Sequence, residues 1–135
     1  MSFDARPLTD QDYDITLTKW WKQWRWEAPG RDFLPNDGRG GIMVSKDGVD
    51  ICAGYIYFTN SKAVWIEFIV SNIEYKDLDR KDAIKFLIDT LSEYGKENGA
   101  KYAYVSLRNE ALINKYVECG FQKGSVGCTE LVKVL

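Results

Sequence analysis

The sequence predicts a single α/β domain over residues 1–135: a mixed, mainly antiparallel sheet of six to seven strands flanked by three to four helices. Three observations carry this prediction. Apolar residues recur at helical spacing between Tyr13 and Trp24 and again between Ile84 and Tyr94. Between these stretches, residues 42–71 hold three β-branched and aromatic runs joined by tight turns. After them come a strand, a short amphipathic helix and two further strand-like runs, giving the order β-α-loop-β-β-β-α-β-α-β-β.

The first helix begins where Thr9 is followed three residues later by Asp12, a pairing that resembles a capping box. Tyr13, Leu17, Trp20, Trp21 and Trp24 then share one broad face, and Lys19, Lys22, Gln23 and Arg25 the other. Adjacent Trp20 and Trp21 are not expected to point inward together. APG at 28–30 ends the helix, and residues 27–41, with two prolines and four glycines, form a loop holding one helical turn around Asp32 to Leu34.

The runs IMVS, ICAGYIYFTN and AVWIEFIVSN, separated by KDGVD and NSK, make an antiparallel meander. The polar stretch IEYKDLDRKD leads to the second helix, where Ile84, Leu87, Ile88, Leu91 and Tyr94 make a stripe at helical spacing. AKYAYVSL is the next strand and NEALINKYVEC the third helix, while FQKGSV and TELVKVL are two terminal strands. In the third helix Asn109 is the cap, Leu112, Ile113, Tyr116 and Val117 face inward, and Gly120 ends the turn ahead of Phe121. On packing alone, Tyr116 is a core residue.

Composition narrows the chemistry. A net charge of −2 and a pI near 5.2 give no general attraction to phosphate backbones, so a nucleic-acid partner is disfavoured. No segment approaches the ~18 apolar residues of a membrane span, and MSFDARPLTDQDYD lacks a basic region followed by an apolar run; no membrane association and a cytoplasmic location are expected. Cys52, Cys119 and Cys128 are odd in number and widely spaced, which fits reduced thiols. There is no histidine, which removes His-based nucleophile pairs and His-ligated metals; no metal is expected. No CxxC, GxxxxGK[ST] or GxGxxG motif occurs either.

The spacing of Asn109, Tyr116, Gly120 and Phe121 resembles the last helix-strand element of the GNAT superfamily of acyl-CoA N-acyltransferases, whose pattern runs Asn, a Tyr seven residues on, then Gly-Phe. ARPLTDQDYD resembles the family's first strand and helix start, KDGVDICAGYIYF its second and third strands, and FIVSNIEYK its fourth strand running toward the cofactor loop. The likeness covers nearly the whole chain. WWKQW, GVDICAG and EFIVSN are in addition similar to short phage-encoded GNAT proteins.

One departure stands out. The family's loop usually reads Arg or Gln, two residues, Gly, one residue, then Gly or Ala, so that backbone amides at a helix start can hold a pyrophosphate. Here the matching stretch is RKDAIK, with Arg80, Ala83 and Lys85 in those places and no glycine. The resemblance implies binding of acetyl-CoA as cosubstrate through the helix N-terminus, with Arg80, Lys81 and Lys85 supplying charge and Asn109 nearby. It also implies that backbone groups of Phe68, Ile69 and Val70 receive the pantetheine arm, and that Tyr116 is the general acid at the thioester sulfur.

For the base, strict alternation in WIEFIV puts Trp65, Glu67 and Ile69 on one face and Ile66, Phe68 and Val70 on the other. A carboxylate in a central strand is either a general base with a raised pKa or half of an ion pair, and the sequence leaves both open. Trp24, with Trp26 or Trp65, is the candidate acceptor wall, against the plainer reading of helix tryptophans as core. Cys119, near a helix C-terminus, reads as an inert thiol.

The expected function is therefore direct acetyl transfer from acetyl-CoA to a primary amine, a small molecule or a protein amino group, in a ternary complex. Pairing of two copies as a homodimer is compatible with this. Two alternatives remain: a GNAT-fold protein without turnover that binds a partner protein, favoured by the glycine-free loop, and a GNAT-fold nucleobase-modifying enzyme, favoured only by the Lys19, Lys22, Arg25 face.

Overall fold

The structure, a computed structural model, describes residues 2–135. Strand β1 (Asp4–Pro7) leads into a π-helical turn, Asp12–Leu17, that continues directly as α1 (Thr18–Gln23). Two 3-10 turns, Arg31–Phe33 and Pro35–Gly38, precede β2 (Gly41–Lys46), β3 (Val49–Phe58) and β4 (Ala63–Ser71). The long helix α2 (Arg80–Glu97), the short strand β5 (Tyr102–Tyr104) and α3 (Glu110–Glu118) complete the elements. The strands form one sheet in the order β1-β2-β3-β4-β5, antiparallel except for the β4–β5 pair, which α2 connects as a crossover.

Local chemistry explains the boundaries. The Asp12 carboxylate accepts from the Thr9 amide at 2.8 Å while the Asp12 amide donates to the Thr9 hydroxyl at 3.3 Å, so the capping box forms as its spacing suggests. Arg6 reaches the same carboxylate with two donors at 2.7 and 2.9 Å, tying β1 to the helix start. The β2–β3 connection is a two-residue turn in which Asp47 and Gly48 both have positive φ, as a tight hairpin requires.

Apolar residues cover both faces of the sheet, which is why β3 reads as a nearly unbroken apolar run. On one face α2 and α3 bury Leu87, Ile88, Leu91 and Tyr116 against Ile56 and Ile66. On the other, Leu17, Trp20, Trp21 and Leu34 pack on Met43 and Tyr55. Trp20 and Trp21 are both buried, contrary to the expectation for neighbouring tryptophans. The loop after α1 folds over the outer flank of that helix: the Tyr13 hydroxyl donates to Pro29 O at 2.6 Å, and Arg31 bonds Asp10 and Asp14 while lying over the Tyr13 ring. Trp21 meets the Tyr13 ring edge-on at 6.1 Å between centroids.

Among the described residues the sheet has five strands rather than six or seven, and three α-helices accompany it. The predicted strand AKYAYVSL is ladder-bonded only over Tyr102–Tyr104. FQKGSV and TELVKVL join no ladder, although their composition suits a strand, because a strand exists only where an edge receives it.

Candidate active site

The site is built around an irregularity in β4. In the β3–β4 register Ala53 faces Val70 and Tyr55 faces Glu67, so Gly54 alone stands opposite both Phe68 and Ile69. This is a β-bulge, and Phe68 occupies its left-handed position with φ at 58°. A bulky aromatic there costs about 1–3 kcal/mol and persists only if the surroundings hold it. Gly54 faces it closely: a Cβ there would come within 2.9 Å of Ile69 Cγ1, so a side chain at this position would force the bulged strand to shift.

The bulge breaks the alternation expected for WIEFIV. Ile66 and Ile69 both enter the core under α2, while Phe68 and Val70 pack on the opposite face. Glu67 lies on that opposite face too, directly across from Tyr55. The predicted grouping of Trp65, Glu67 and Ile69 is therefore corrected: the extra residue rotates the strand by one position after Glu67.

Just ahead of the bulge, β4 and the chain after β5 part. Their parallel pairing ends at Trp65 and Tyr104. Two side chains then span the opening. The Tyr116 hydroxyl donates to Ile66 O at 2.9 Å, and Glu67 Oε1 accepts the Ser106 amide at 3.0 Å. Tyr116 reaches this point because Asn109 caps α3, its Oδ1 accepting the Leu112 amide at 2.9 Å, and because Phe121 meets the Tyr116 ring edge-on at 5.0 Å. Burial, reinforced by the charge of Glu67, pushes the Tyr116 hydroxyl well above the ordinary tyrosine range, so it stays protonated at neutral pH.

Burial also raises the pKa of Glu67, against the lowering effect of the Ser106 amide and with a further rise from Glu130. Among the described residues Glu67 makes no ion pair, so the paired-carboxylate alternative is not realised. Its neighbours across the ladder on β3 are Tyr55 and, one pair along the same face, Tyr57. Tyr57 is pushed up to about 12 by burial and by Glu67, and its hydroxyl donates to Phe33 O at 2.9 Å. Its ring and that of Phe33 both approach Phe68, at 6.4 and 6.0 Å between centroids. Trp65 lies 4.4 Å from Tyr104.

Of the candidate acceptor tryptophans, Trp24 and Trp26 come together, and Trp65 lies apart from them. Trp24 donates its indole N–H to Ser71 O at 2.7 Å, stacks on Trp26 at 5.7 Å and lies under the Arg80 guanidinium at 5.8 Å. That group sits at the far end of β4, roughly 20 Å along the strand from Trp65. Only Trp65 belongs to the surroundings of Glu67.

At the same end, Arg80 and Lys81 line a hollow of about 350 Å³ with Tyr75 and Leu78. The Ala83 side chain lies in the core and its amide bonds Asp79 O at 2.9 Å, leaving the Lys81 and Asp82 amides, among the described residues, without a backbone acceptor. The carboxylate of Asp79 is neutralised by Lys46 at 2.7 Å, whose hydrogen bond, with that of Tyr75, holds it below the usual carboxylate range. Lys85 points to α3, pairing with Glu118 at 3.4 Å. Cys119 is raised to about 11 chiefly by burial, in keeping with an unreactive thiol.

Sequence reasoning missed Phe33, Tyr57, Tyr104 and Ser106. Tyr57 and Tyr104 are the ladder partners of Trp65 on its two sides, so the hairpin register could have located the first. Nothing local marks Phe33 or Ser106, which arrive through loops.

No protein-family model matches the sequence, and no curated protein is similar to it. Solved structures are similar in fold. AAC(6')-Iy in complex with a bisubstrate analog, CoA-S-monomethyl-acetylneamine, superposes with a TM-score of 0.67 at 17% identity over 99% of this chain and 100% of that one. Glucosamine-6-phosphate N-acetyltransferase from Arabidopsis thaliana gives 0.65 at 15% identity over 98% and 100%. N-acetylglutamate synthase from Neisseria gonorrhoeae, complexed with coenzyme A and L-arginine, gives 0.73 at 14% identity, covering 95% of this chain but 29% of that one. The chain therefore has the GNAT fold.

Proposed function

We propose that this protein is a GNAT-type N-acetyltransferase that carries an acetyl group from acetyl-CoA to a primary amine by direct transfer in a ternary complex. The observation that carries the reading is the bulge at Phe68, with the opening between β4 and the β5 chain flanked by Glu67 and Tyr116. Acetyl-CoA would supply an activated acyl thioester.

The residues present fit such a group at two places. At the start of α2, the free amides of Lys81 and Asp82 with the Arg80 and Lys81 charges suit a pyrophosphate, and neutralised Asp79 does not oppose it. Along β4, the backbone of Phe68, Ile69 and Val70 leaves the β5 ladder and has polar groups to offer an extended amide-bearing arm. Lys85 and Asn109 are occupied in holding α3, so their part is indirect.

Glu67 is the general base in this reading. Its raised pKa brings it nearer the operating range, and its charge draws an ammonium group into an aromatic surround of Tyr57, Phe68 and Trp65. Tyr116 is the general acid, kept protonated by burial until a departing thiolate requires its proton. In the present state its hydroxyl rests on Ile66 O, a bond it must exchange for the sulfur.

The test combines calorimetry with acetyl-CoA and a thiol-release assay over amines of graded size and aromaticity. Saturable binding with thiol release on adding one class of amine is the expected result. Absence of binding at high micromolar acetyl-CoA would reject the reading in favour of a binding protein that has kept only the fold.

A further inference from the structure

Acetyl transfer by itself does not say which amine is taken, and a row of aromatic side chains on the Glu67 face of the sheet bears on that choice. Tyr57 of β3 faces Trp65 of β4 in the ladder, and Trp65 faces Tyr104 of β5, so the three lie side by side across three strands. The Trp65 and Tyr104 rings meet at 4.4 Å between centroids. With strands ~4.8 Å apart the row is roughly 10 Å wide, enough to seat one flat ring.

The row lies outside both cores. The cluster under α1 has Tyr57 and Phe68 at its margin, and Trp65 and Tyr104 belong to neither cluster. Tyr104 is 54% exposed with the C-terminal segment in place. The loop before β2 borders the row at the β3 side: Phe33, itself 51% exposed, accepts the Tyr57 hydroxyl at its carbonyl at 2.9 Å and meets Phe68 edge-on at 6.0 Å. Large rings left in water beside a candidate active site suit a ligand surface better than a core.

The charge beside the row has one sign. Glu67 follows Trp65 by two residues on the same face, roughly 7 Å along the strand. Among the described residues it has no ion-pair partner, and the further charge acting on it is another carboxylate, Glu130. Such a place attracts a cation and repels a carboxylate or a phosphate. Two nearby donors are already used, the Tyr57 hydroxyl on Phe33 O and the Ser106 amide on Glu67. A polyhydroxylated amine would therefore shed water there without recovering its hydrogen bonds, a cost that a flat apolar skeleton avoids.

We infer that the acceptor is an aromatic primary amine, an aryl ring on a short alkyl spacer without an acidic group, its ring seated on the Trp65 and Tyr104 pair and its ammonium drawn to Glu67. The separation of Trp65 from Glu67 fits a spacer of about two or three carbons between ring and nitrogen. The inference names the substrate of the acetyl-transfer reading and rests on it.

Calorimetric titration of the protein, with and without coenzyme A, compares phenethylamine with cyclohexylethylamine, which lacks the flat ring, with phenylalanine, which adds a carboxylate, and with glucosamine, which carries hydroxyls instead of a ring. Phenethylamine should bind about 2- to 10-fold tighter than its cyclohexyl counterpart, the worth of one aromatic pair. It should bind ~10-fold or more tighter than phenylalanine or glucosamine. Tyr104→Leu, at an exposed position, should reduce the aromatic preference with unchanged far-ultraviolet circular dichroism, and Trp65→Leu should remove it. The amine series on the unmodified protein decides the matter even where a variant does not fold. Equal affinity for the phenyl and cyclohexyl amines, tighter binding of phenylalanine or glucosamine, no binding of any of the four, or an aromatic preference that persists in folded Trp65→Leu would each overturn the inference. Acetyl-CoA is titrated separately: absence of its binding rejects transfer and the substrate assignment with it, whereas acetyl-CoA binding without preference among the amines rejects the substrate assignment alone.

Discussion

Glu67 Oε1 accepts the backbone amide of Ser106 at 3.0 Å, a bond between residues thirty-nine apart in sequence that spans the opening where β4 leaves the β5 chain. It fixes the carboxylate without neutralising it, since one oxygen stays free and no cation pairs with it among the described residues. A held, uncompensated, half-buried carboxylate suits a proton acceptor better than a structural ion pair.

Glu67→Gln should therefore lower acetyl transfer by ~100-fold or more while leaving acetyl-CoA affinity nearly unchanged, since a proton acceptor and not a binding contact is removed. Stability gives an independent check. The folded pKa of Glu67 is raised, so its ionised form costs stability above that pKa, and the cost is relieved as pH falls through it toward the unfolded value of about 4.5. The melting advantage of Glu67→Gln over wild type should shrink between pH 7 and the unfolded pKa. Wild-type turnover in the variant would remove Glu67 from the mechanism.

Asp12 has the opposite sign. Burial works to raise its pKa, but the Arg6 fork and the Thr9 donors outweigh it and the net shift is downward. The pair stabilises the fold above the unfolded pKa near 3.8, and that stability is lost as pH falls through the lower folded value. Arg6→Ala should cost about 1–3 kcal/mol at pH 7, below the figure for a fully buried pair because Arg6 is half exposed. Urea titrations at pH 7 and pH 3 should show the difference between variant and wild type narrowing in acid.

At Gly54, alanine would place its Cβ 2.9 Å from Ile69 Cγ1 and 3.3 Å from Leu91 Cδ1. Both neighbours are held by the core, so Gly54→Ala should destabilise by ~1–3 kcal/mol and disturb the bulge that opens β4. Transfer activity should fall further than the loss of folded protein accounts for. An alanine variant of normal stability and rate would mean that the bulge tolerates a side chain and does not shape the site.

These residues show how far the sequence could be read. The two long helical stripes, the Thr9–Asp12 cap and the Asp47–Gly48 turn were legible because each is a local pattern that its own hydrogen bonds satisfy. The bulge was not. An extra residue in a strand leaves period-two alternation looking intact, and only the cross-strand register, with Gly54 opposite two residues, exposes it. The place of Trp24 was hidden for a related reason: spacing puts it on a face, but Ser71 and Arg80, distant in sequence, decide which end of β4 it meets. The terminal strands were read from composition, which says what a segment could pair with but not whether the same chain offers the partner.

The glycine-free start of α2 makes a testable claim about coenzyme A. If Arg80 and Lys81 supply by charge what glycines would allow by close backbone approach, affinity should weaken as salt rises, and Arg80→Ala should both weaken binding and flatten its salt dependence. Fluorescence provides the readout, because Arg80 lies over Trp24 and ligand binding there should alter indole emission. Salt-independent affinity would assign the pyrophosphate to the Lys81 and Asp82 amides alone.

The Tyr116 hydroxyl rests on Ile66 O at 2.9 Å in a buried position. Tyr116→Phe keeps the ring and its edge-on contact with Phe121, so packing is nearly preserved, but the Ile66 carbonyl loses its donor. The stability cost should be about 1–3 kcal/mol, the range for stranding a buried acceptor. A purely structural tyrosine would show that loss and nothing more: per folded molecule, transfer would run at the wild-type rate. A proton donor would show a second effect, turnover slower by at least ~10-fold with normal acetyl-CoA affinity, because the thiolate would leave without its proton. Leaving-group dependence separates the two cleanly. Acyl donors whose thiols have lower pKa values need less help in departing, so the deficit of Tyr116→Phe should narrow with such donors if the hydroxyl protonates sulfur, and should stay constant if the residue only packs.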